Sequence, residues 1–405
     1  MKSFFAVLLL LPSLCTAFSH LEARGGSLYD SSGKEVHFHG VNVSGMEWGA
    51  GTPWTKGCHD PQWGGRFGCY ALPPEDMYDR IAGWGFNMVR IPVSWANIEP
   101  VEGGPYNEAY LRGLDHIVDQ FRKRHVAVIF SMHQWAWSPA VNAEKYHSGQ
   151  FIHGNGWPVW LYDEKWHRVN PVTGRERAKI LGNGKDGEMA AAKEFFANGR
   201  RIEGKKIQRK FMDVWVMLAR RYKAMENVIG ADMMNEPYGN RPGELEDLYS
   251  RTGKTIHRIC PQWLLVFERS LSSPKFEFAR MMRDDFPKNR AVYSFHLYPA
   301  TWDEPGMNRQ GEPRKLGKDV FTKQLKKAEN WDVPLWLGEF HLVMRDHSVE
   351  RSQSEAMLDF IKKNGMNWSY WAYQKDSQPL AGESGRGPVN HEILGELEKE
   401  MKRGQ

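Results

Sequence analysis

The sequence has little that would tie it to a membrane, to nucleic acid or to a structural metal. Only four of its 405 residues are cysteine, and no spacing of Cys and His is typical of a zinc site. The formal net charge is +5, but no run of five or more Lys or Arg occurs, so a nucleic-acid partner has no support. Beyond the N-terminus no apolar stretch approaches the ~18 residues of a membrane-spanning helix. We therefore expect no membrane span, and the sequence predicts no oligomeric state.

The long apolar stretch at the N-terminus has the features of an export signal. Lys2 precedes an apolar segment from Phe4 to Leu11, and small residues follow at Cys15-Thr16-Ala17. The segment is too short to span a bilayer, and the small residues have the spacing of a cleavage site. We expect residues 1–17 to be a signal peptide and residues 18–405 to form one secreted domain, periplasmic or extracellular. A buried N-terminal helix is the alternative.

Three cysteines follow the predicted signal peptide. Export would permit disulfides, and Cys58 and Cys69 share a loop that is rich in Gly and Trp. We favour a bridge between these two. Cys260 would then be a lone thiol, packed rather than reactive.

Eight short apolar segments recur along the chain, and charged amphipathic segments with helical spacing lie between them. The apolar segments are nearly continuous rather than alternating, as expected of parallel strands that are covered on both faces. They occupy residues 36–43, 86–92, 126–132, 228–234, 263–268, 291–296, 334–339 and 368–373. The clearest amphipathic segments occupy residues 111–124, 211–223, 244–257 and 352–363.

This alternation predicts an α/β fold, a (β/α)₈ TIM barrel. The gap between the third and fourth strands is the longest, so we expect a long loop insertion after strand three, on the catalytic face. A doubly wound open sheet is the alternative, but no Gly-rich phosphate loop follows any strand.

Two glutamates stand where predicted strands end, Glu236 after strand four and Glu339 at the end of strand seven. They are 103 residues apart. At roughly 31 residues per strand–helix unit this is about three units, so the side chains should face each other across the barrel mouth. In that arrangement a protonated carboxyl can donate a proton to the leaving oxygen of a glycosidic bond, and an ionised carboxylate can attack the anomeric carbon. Unrelated ion pairs at the rim are the alternative.

Other strand ends supply side chains with matching roles. Asn235 can hydrogen-bond a sugar 2-hydroxyl, and Arg90 and Tyr298 can hold the nucleophile ionised. For the two histidines of the set a structural role is the alternative, whereas the tryptophan offers a flat face beneath a sugar ring. These further candidates are His133, His296 and Trp371.

Six short motifs and a late tryptophan carry a family resemblance. They are HGVN (His39 to Asn42), RIP (with Arg90), MHQ (with His133), NEP (with Asn235 and Glu236), HLY (with His296 and Tyr298), GEF (with Glu339) and Trp371. The chain resembles glycoside hydrolase family 5, the cellulase-like retaining β-glycosidases, over roughly residues 36–373. The resemblance implies that Glu236 is the acid/base and Glu339 the nucleophile, with net retention and with neither metal nor organic cofactor. We place Asn42 among the substrate-binding candidates.

The expected substrate is a carbohydrate or glycoconjugate, with a β-glucan or mannan-type endo-hydrolase favoured. A long cleft would need stacking tryptophans, and the candidates are Trp48, Trp54, Trp63, Trp135, Trp137 and Trp302. Trp157 and Trp160 in the insertion would instead close a pocket around short glycosides, giving an exo-β-glycosidase. The stretch VIGADMMNEPYG also resembles endoglycoceramidases, which often carry an acidic residue where this chain has Trp135.

Two other classes compete with a glycosidase. His37 and His39 lie on one face of a strand, as a metal-dependent hydrolase would need, but no matching His or Asp set follows. A non-catalytic carbohydrate-binding barrel is the second alternative.

The distance between the two carboxyl groups predicts the stereochemistry of the reaction. A separation of ~5–5.5 Å would indicate retention, and one of ~6.5–9.5 Å would indicate inversion. We also expect Glu236 to titrate above its ordinary pKa beside an ionised Glu339.

Overall fold

Eight parallel strands close into a barrel in sequence order, and a small antiparallel sheet precedes them. In the computed structural model the strands are β1 (Glu22–Arg24), β2 (Ser27–Tyr29), β3 (Glu35–Val36), β4 (His39–Asn42), β5 (Met88–Val93), β6 (Ala127–Met132), β7 (Arg201–Ile202), β8 (Lys205–Lys206), β9 (Val228–Asp232), β10 (Leu264–Glu268), β11 (Ala291–His296), β12 (Leu335–Phe340) and β13 (Asn367–Tyr370). The barrel consists of β4–β6 and β9–β13, and β13 pairs with β4 to close it.

Helices follow the strands and cover the outside of the barrel. They are α1 (Asp76–Gly83), α2 (Trp95–Ile98), α3 (Glu108–Arg122), α4 (Gly187–Ala197), α5 (Ile207–Tyr222), α6 (Glu244–His257), α7 (Ala279–Arg283), α8 (Lys318–Trp331), α9 (Val349–Lys363) and α10 (His391–Arg403). Short 3-10 turns lie at Val159–Leu161 and Lys288–Arg290. Within the described residues no helix is long and apolar enough to cross a membrane.

The structure describes residues 18, 20–48, 70, 72–135, 137–138, 155–161, 187–202, 204–272, 278–284, 286–298, 318–344, 349–374, 379–382, 385 and 387–403. The predicted signal peptide, Cys58 and Cys69, and much of the predicted insertion lie outside these residues, so those expectations stay predictions. Cys260 is a free, buried thiol, and burial raises its pKa to about 12, so it is inert near neutral pH.

The barrel prediction is confirmed, and all eight predicted segments contain the observed barrel strands with small shifts at their ends. Predicted strand one was too long, because residues 36–43 divide between the small sheet and β4.

Helix α3 shows why the amphipathic segments could be predicted from the sequence. Asn107 caps its start by accepting a hydrogen bond from the Tyr110 backbone N–H at 3.2 Å, and its apolar face is buried.

The end of the barrel where the strands begin is apolar and closed. The first sheet, β1–β3, packs its inward side chains Leu21, Ala23 and Leu28 against the barrel interior. The interior residues that meet them are Met88, Ala127, Ile129, Ile229, Leu264, Val266, Val292 and Trp336. Because the strands run parallel, the opposite end is left for the residues at which they finish.

Candidate active site

The inward face of the strands changes from apolar to polar along its length. Side chains two residues apart share a face of a strand, so one face can be followed by alternate positions. On β10 this face runs Leu264, Val266, Glu268, and on β5 it runs from Met88 to Arg90. The parallel strands therefore gather their polar residues at one mouth.

Arg90 is fully buried and forms the centre of the polar mouth. Its guanidinium donates to Asp232 Oδ2 at 2.9 and 2.7 Å and to Glu339 Oε1 at 2.6 Å. It also donates to Ser131, Asn42, Asn235 and Glu268 at 2.8, 2.9, 2.7 and 3.3 Å. The carboxylates raise the Arg90 pKa more than burial lowers it, so it stays a cation. A guanidinium held at this many points is a fixed positive charge.

Glu339 is held from two sides at the end of β12. Arg90 donates to its Oε1, and the Tyr298 hydroxyl donates to its Oε2 at 2.6 Å, as the sequence predicted for the nucleophile. The pairing of β12 with its neighbours shifts register near Glu339. A Cβ on Gly338 would overlap Ser294 Oγ and lie 3.0 Å from His296 Nε2, so the close approach needs glycine.

Glu236 has a left-handed backbone, with φ of 43°. This conformation is strained for a residue with a side chain. Its N–H donates to Glu268 Oε2 at 2.8 Å, and its carbonyl accepts from Gln134 Nε2 at the same distance. Two side chains from the neighbouring strands thus hold both polar groups of its main chain.

His296 joins the two glutamates that the sequence paired. Its Nδ1 lies 2.9 Å from Glu236 Oε1 and 3.4 Å from Glu339 Oε2. One donor atom from each of these three side chains lies within 4.8 Å of the other two. The separation of the two carboxylates is close to that of a retaining pair.

The titration of the cluster differs from the sequence prediction at Glu236. Burial raises the Glu236 pKa, but the hydrogen bond and charge of His296 together with Arg90 lower it further, so it lies below its ordinary value. Burial alone would lower the His296 pKa, but Glu268, Glu339 and Glu236 raise it well above 6.5. The expected high pKa of Glu236 is therefore wrong, because the contact with His296 and the charge of Arg90 lower the pKa by more than burial raises it.

The Glu339 carboxyl has the opposite shift. Burial raises its pKa above 4.5 by more than His296, Arg90 and Tyr298 lower it. Ionisation of Glu339 is therefore complete only at a higher pH than that of an ordinary glutamate.

Four other predicted site residues are buried around the mouth. Asn42 is completely buried, donates to three backbone carbonyls and accepts from Arg90, so it positions Arg90 rather than contacting substrate. Asn235 is also buried between Arg90 and the Gln134 carbonyl. His133 and Trp371 stack with ring centroids 5.5 Å apart and with 10° between the ring planes, and both rings are buried.

The tryptophans proposed to line a cleft are distributed differently. Trp137 and Trp157 are buried and pack edge to face at 4.8 Å, so the cleft and pocket roles predicted for them are wrong. They pack here because Gly156, with φ of 119°, brings residues 155–157 against the end of β6. Trp48, Trp135 and Trp160 are partly exposed. Trp54, Trp63 and Trp302 lie outside the described residues.

The two histidines of the metal-hydrolase alternative lie at the other end of the barrel. His39 begins β4 and stacks on Trp368 with centroids 5.4 Å apart, whereas Asn42 ends the same strand at the mouth. His37 contacts the Gly365 carbonyl through Nδ1 at 3.1 Å. They are therefore separated from the carboxylates, and they offer no shared metal site with them.

Sequence reasoning missed four members of the cluster, which are Glu268, Asp232, Gln134 and Ser131. Each lies at one of the last two positions of a barrel strand or just after the strand, so the signal that found the others was present for them too. Glu268 is the most informative omission, because it contacts Arg90, His296 and the Glu236 main chain at once.

Comparisons with known proteins agree on the family. Residues 29–377 match the family model Cellulase (glycosyl hydrolase family 5). An endoglucanase of Paenibacillus polymyxa is 22% identical over 391 residues, covering 90% of this chain and 82% of the relative. An endoglycoceramidase of Cyanea nozakii is 24% identical over 379 residues, covering 86% of this chain and 67% of the relative.

A similar fold occurs in a solved structure. The crystal structure of an endogalactoceramidase superimposes with a TM-score of 0.67, at 19% identity, over 95% of this chain and 84% of that one. At this level of identity the likeness shows the barrel fold.

Proposed function

The chain belongs to the cellulase family, glycosyl hydrolase family 5, and from that premise we propose that it cleaves internal linkages of a β-glucan or mannan-type glycan. It is a retaining β-glycoside hydrolase, as the family is. The observation that carries the proposal is that Glu236 and Glu339 converge on His296, with donor atoms within 4.8 Å of one another. That separation is nearer to the ~5–5.5 Å of a retaining pair than to the ~6.5–9.5 Å of an inverting pair, which supports double displacement.

We assign Glu339 as the nucleophile. Its carboxylate attacks the anomeric carbon, and the bond from that carbon to the leaving oxygen breaks. Arg90 and Tyr298, each 2.6 Å from one of its oxygens, fix the direction of attack and stabilise its charge.

We assign Glu236, in contact with His296, as the acid and base. Bound substrate excludes water from the mouth and favours the neutral form of this pair, in which the proton lies on Glu236. That proton passes to the leaving oxygen. In the second half Glu236 takes a proton from water, the water oxygen attacks the anomeric carbon, and Glu339 leaves, so the β configuration is restored.

The remaining side chains support sugar binding. Trp135, two residues after His133, is partly exposed and offers an aromatic ring to a sugar, and the stacked pair of His133 and Trp371 lies buried at the mouth. Asn235 donates one amide hydrogen to the Gln134 carbonyl, which leaves the second for a sugar 2-hydroxyl.

Proton NMR of the first-formed product tests the mechanism. We expect the β anomer to appear first, followed by slow mutarotation. An α anomer as the first product would refute the assignment of Glu339 as nucleophile.

A hydrolysis panel tests the substrate class. We expect carboxymethyl-cellulose, mixed-linkage glucan or mannan to lose viscosity quickly, with few reducing ends formed per fall in viscosity. Release of single sugars without loss of viscosity would instead show terminal cleavage and overturn the endo assignment.

A glycosphingolipid is the second candidate substrate, because relatives include endoglycoceramidases. An apolar side chain on the neighbouring loop, which follows β10, also favours it. Leu271 is 39% exposed, and its N–H donates to the Pro237 carbonyl at 2.8 Å, next to Glu236. If a lipid is the leaving group, Leu271→Ser should slow hydrolysis of a glycosphingolipid in detergent while leaving an aryl β-glycoside unaffected.

A further inference from the structure

Glu268 is a third buried glutamate at the mouth, and the two-carboxylate mechanism does not use it. It ends β10, and its side chain is 3% exposed. One oxygen, Oε2, accepts the Glu236 N–H at 2.8 Å. The other, Oε1, lies 3.1 Å from His296 Nε2 and 3.3 Å from an Arg90 nitrogen. The Glu268 carboxyl group thus contacts the Glu236 main chain, the His296 ring and the Arg90 guanidinium.

The contact to Glu236 is a contact to strained backbone. A φ of 43° persists in a residue other than glycine only when its surroundings hold it there. The Glu268 carboxyl and the Gln134 amide are the side-chain groups that bind the N–H and the carbonyl of Glu236. Without the carboxyl the N–H would be buried and unpaired, and the main chain would lose one of its two fixed points.

The contact between Glu268 and His296 is electrostatic. Its Nε2 faces Glu268 at 3.1 Å without the alignment of a hydrogen bond, and its Nδ1 faces Glu236 and Glu339. A negative charge on the far side of the ring favours a proton on the ring. Burial raises the Glu268 pKa more than His296 and Arg90 lower it, so this carboxyl competes for the same protons.

We propose that Glu268 is a positioning residue of the active site: it holds Glu236 in its left-handed conformation and supplies the charge against which His296 keeps its proton. The proposal rests on the assignment of Glu236 and Glu339 as the catalytic pair. Glu268 touches no reacting atom in this arrangement, and it acts through the two residues that do.

The test must distinguish this role from a general structural one. The pH dependence of kcat/KM does so, because a purely structural change does not shift it. Seven groups face His296 and its partners from the surrounding elements. They are Arg90 on β5, His133 after β6, Asp232 at the end of β9, Glu236 after β9, Glu268 on β10, Tyr298 after β11 and Glu339 on β12. Glu268→Gln keeps the shape and an acceptor oxygen and removes the charge. Glu268→Asp keeps the charge and shortens the reach.

Glu246→Gln is the matched control. Glu246 is also a buried carboxylate that accepts a backbone N–H, from Met281 at 2.6 Å, and it pairs with Arg280. It lies on α6, away from the mouth. A variant here reports what the loss of a buried carboxylate does when the carboxylate is not part of the site.

The experiment measures kcat and KM against pH for the four proteins, with an aryl β-glycoside that the wild-type enzyme hydrolyses. We expect Glu268→Gln to move the alkaline limb of kcat/KM down by about one pH unit, because removal of a negative charge lowers the proton affinity of the cluster. Glu268→Asp should keep that limb and lose about tenfold in kcat with little change in KM. Glu246→Gln should leave both unchanged.

An unshifted alkaline limb in Glu268→Gln overturns the proposal, whatever its rate. Failure of the glycosidase assignment would appear differently, as absence of hydrolysis by the wild type before any variant is compared.

A measurement on the wild type covers the case in which the variants do not fold. In wild-type protein with ¹⁵N-labelled histidine, the ring resonances of His296 are identified by sequential assignment. We expect its Nε2 to stay protonated through neutral pH. A ring with its single proton on Nδ1 at neutral pH would overturn the proposal.

Discussion

The two ends of the barrel are built from the same strands and have opposite chemistry. Where the strands begin, Met88, Leu264 and Val292 pack with the β1–β3 sheet in an apolar cluster. Where the same faces end, a buried arginine is surrounded by carboxylates. Glu268 lies four positions after Leu264 on the same strand, so the change from a stabilising core to a reactive centre takes about 13 Å of strand.

This difference shows how one fold divides two requirements. Buried charges are costly, and they are retained only when each is paired. Apolar burial at the closed end stabilises the barrel without constraining the mouth. We therefore expect substitutions at the mouth to change activity more than stability, and substitutions at the closed end to do the reverse.

Glu339→Gln is the largest expected effect on the mouth. The amide cannot attack the anomeric carbon, so kcat should fall on the order of 10⁴-fold or more. The free energy of unfolding should stay the same or rise, because one of several crowded carboxylates is gone. Steady-state kinetics measures the fall in kcat, and thermal unfolding measures the change in stability. A large loss of stability would show that the residues of the mouth also stabilise the fold.

Leu264→Ala is the corresponding change at the closed end. The leucine is 1% exposed, and its truncation should cost about 2–5 kcal/mol of unfolding free energy by loss of burial and creation of a cavity. Activity per folded molecule should be unchanged. Leu264→Met is the volume-matched control and should cost less than about 1.5 kcal/mol. A fall in kcat for folded Leu264→Ala would contradict the division between the two ends.

Tyr298→Phe is the smallest effect and refines the comparison. It removes one hydrogen bond to Glu339, and kcat should fall about 10–100-fold. That bond lowers the Glu339 pKa, so its loss raises the pKa further. Activity needs the ionised form, so the acid limb of the pH profile should move to higher pH. An acid limb that stays in place would show that the hydroxyl does not stabilise the carboxylate charge.

The sequence alone predicted the eight strands and their order because parallel strands buried on both faces read as continuous apolar runs. It also predicted that Glu236 and Glu339 meet, since strand ends in a barrel share one mouth. The contacts of Arg90 and Tyr298 with Glu339 are confirmed for the same reason.

Most of what the sequence did not yield depends on geometry that spacing cannot supply, whereas Glu268 was overlooked. Glu268 is the last residue of an apolar strand. It is assigned to the inner face of the barrel only because it lies two and four positions after Val266 and Leu264, which point inward. The low pKa of Glu236 depends on a 2.9 Å contact with a histidine 60 residues away. Trp137 and Trp157 could not be assigned to core or cleft by residue type, because either location suits an aromatic ring.

The sheet that closes the apolar end has a practical consequence for handling the enzyme. Phe18 packs on the same cluster as β1–β3, on the side of the barrel opposite the carboxylates. A tether attached just before that residue would leave the molecule with its substrate opening pointing away from the support. Immobilisation on a solid carrier from that position should therefore leave turnover of even a long polymer unhindered.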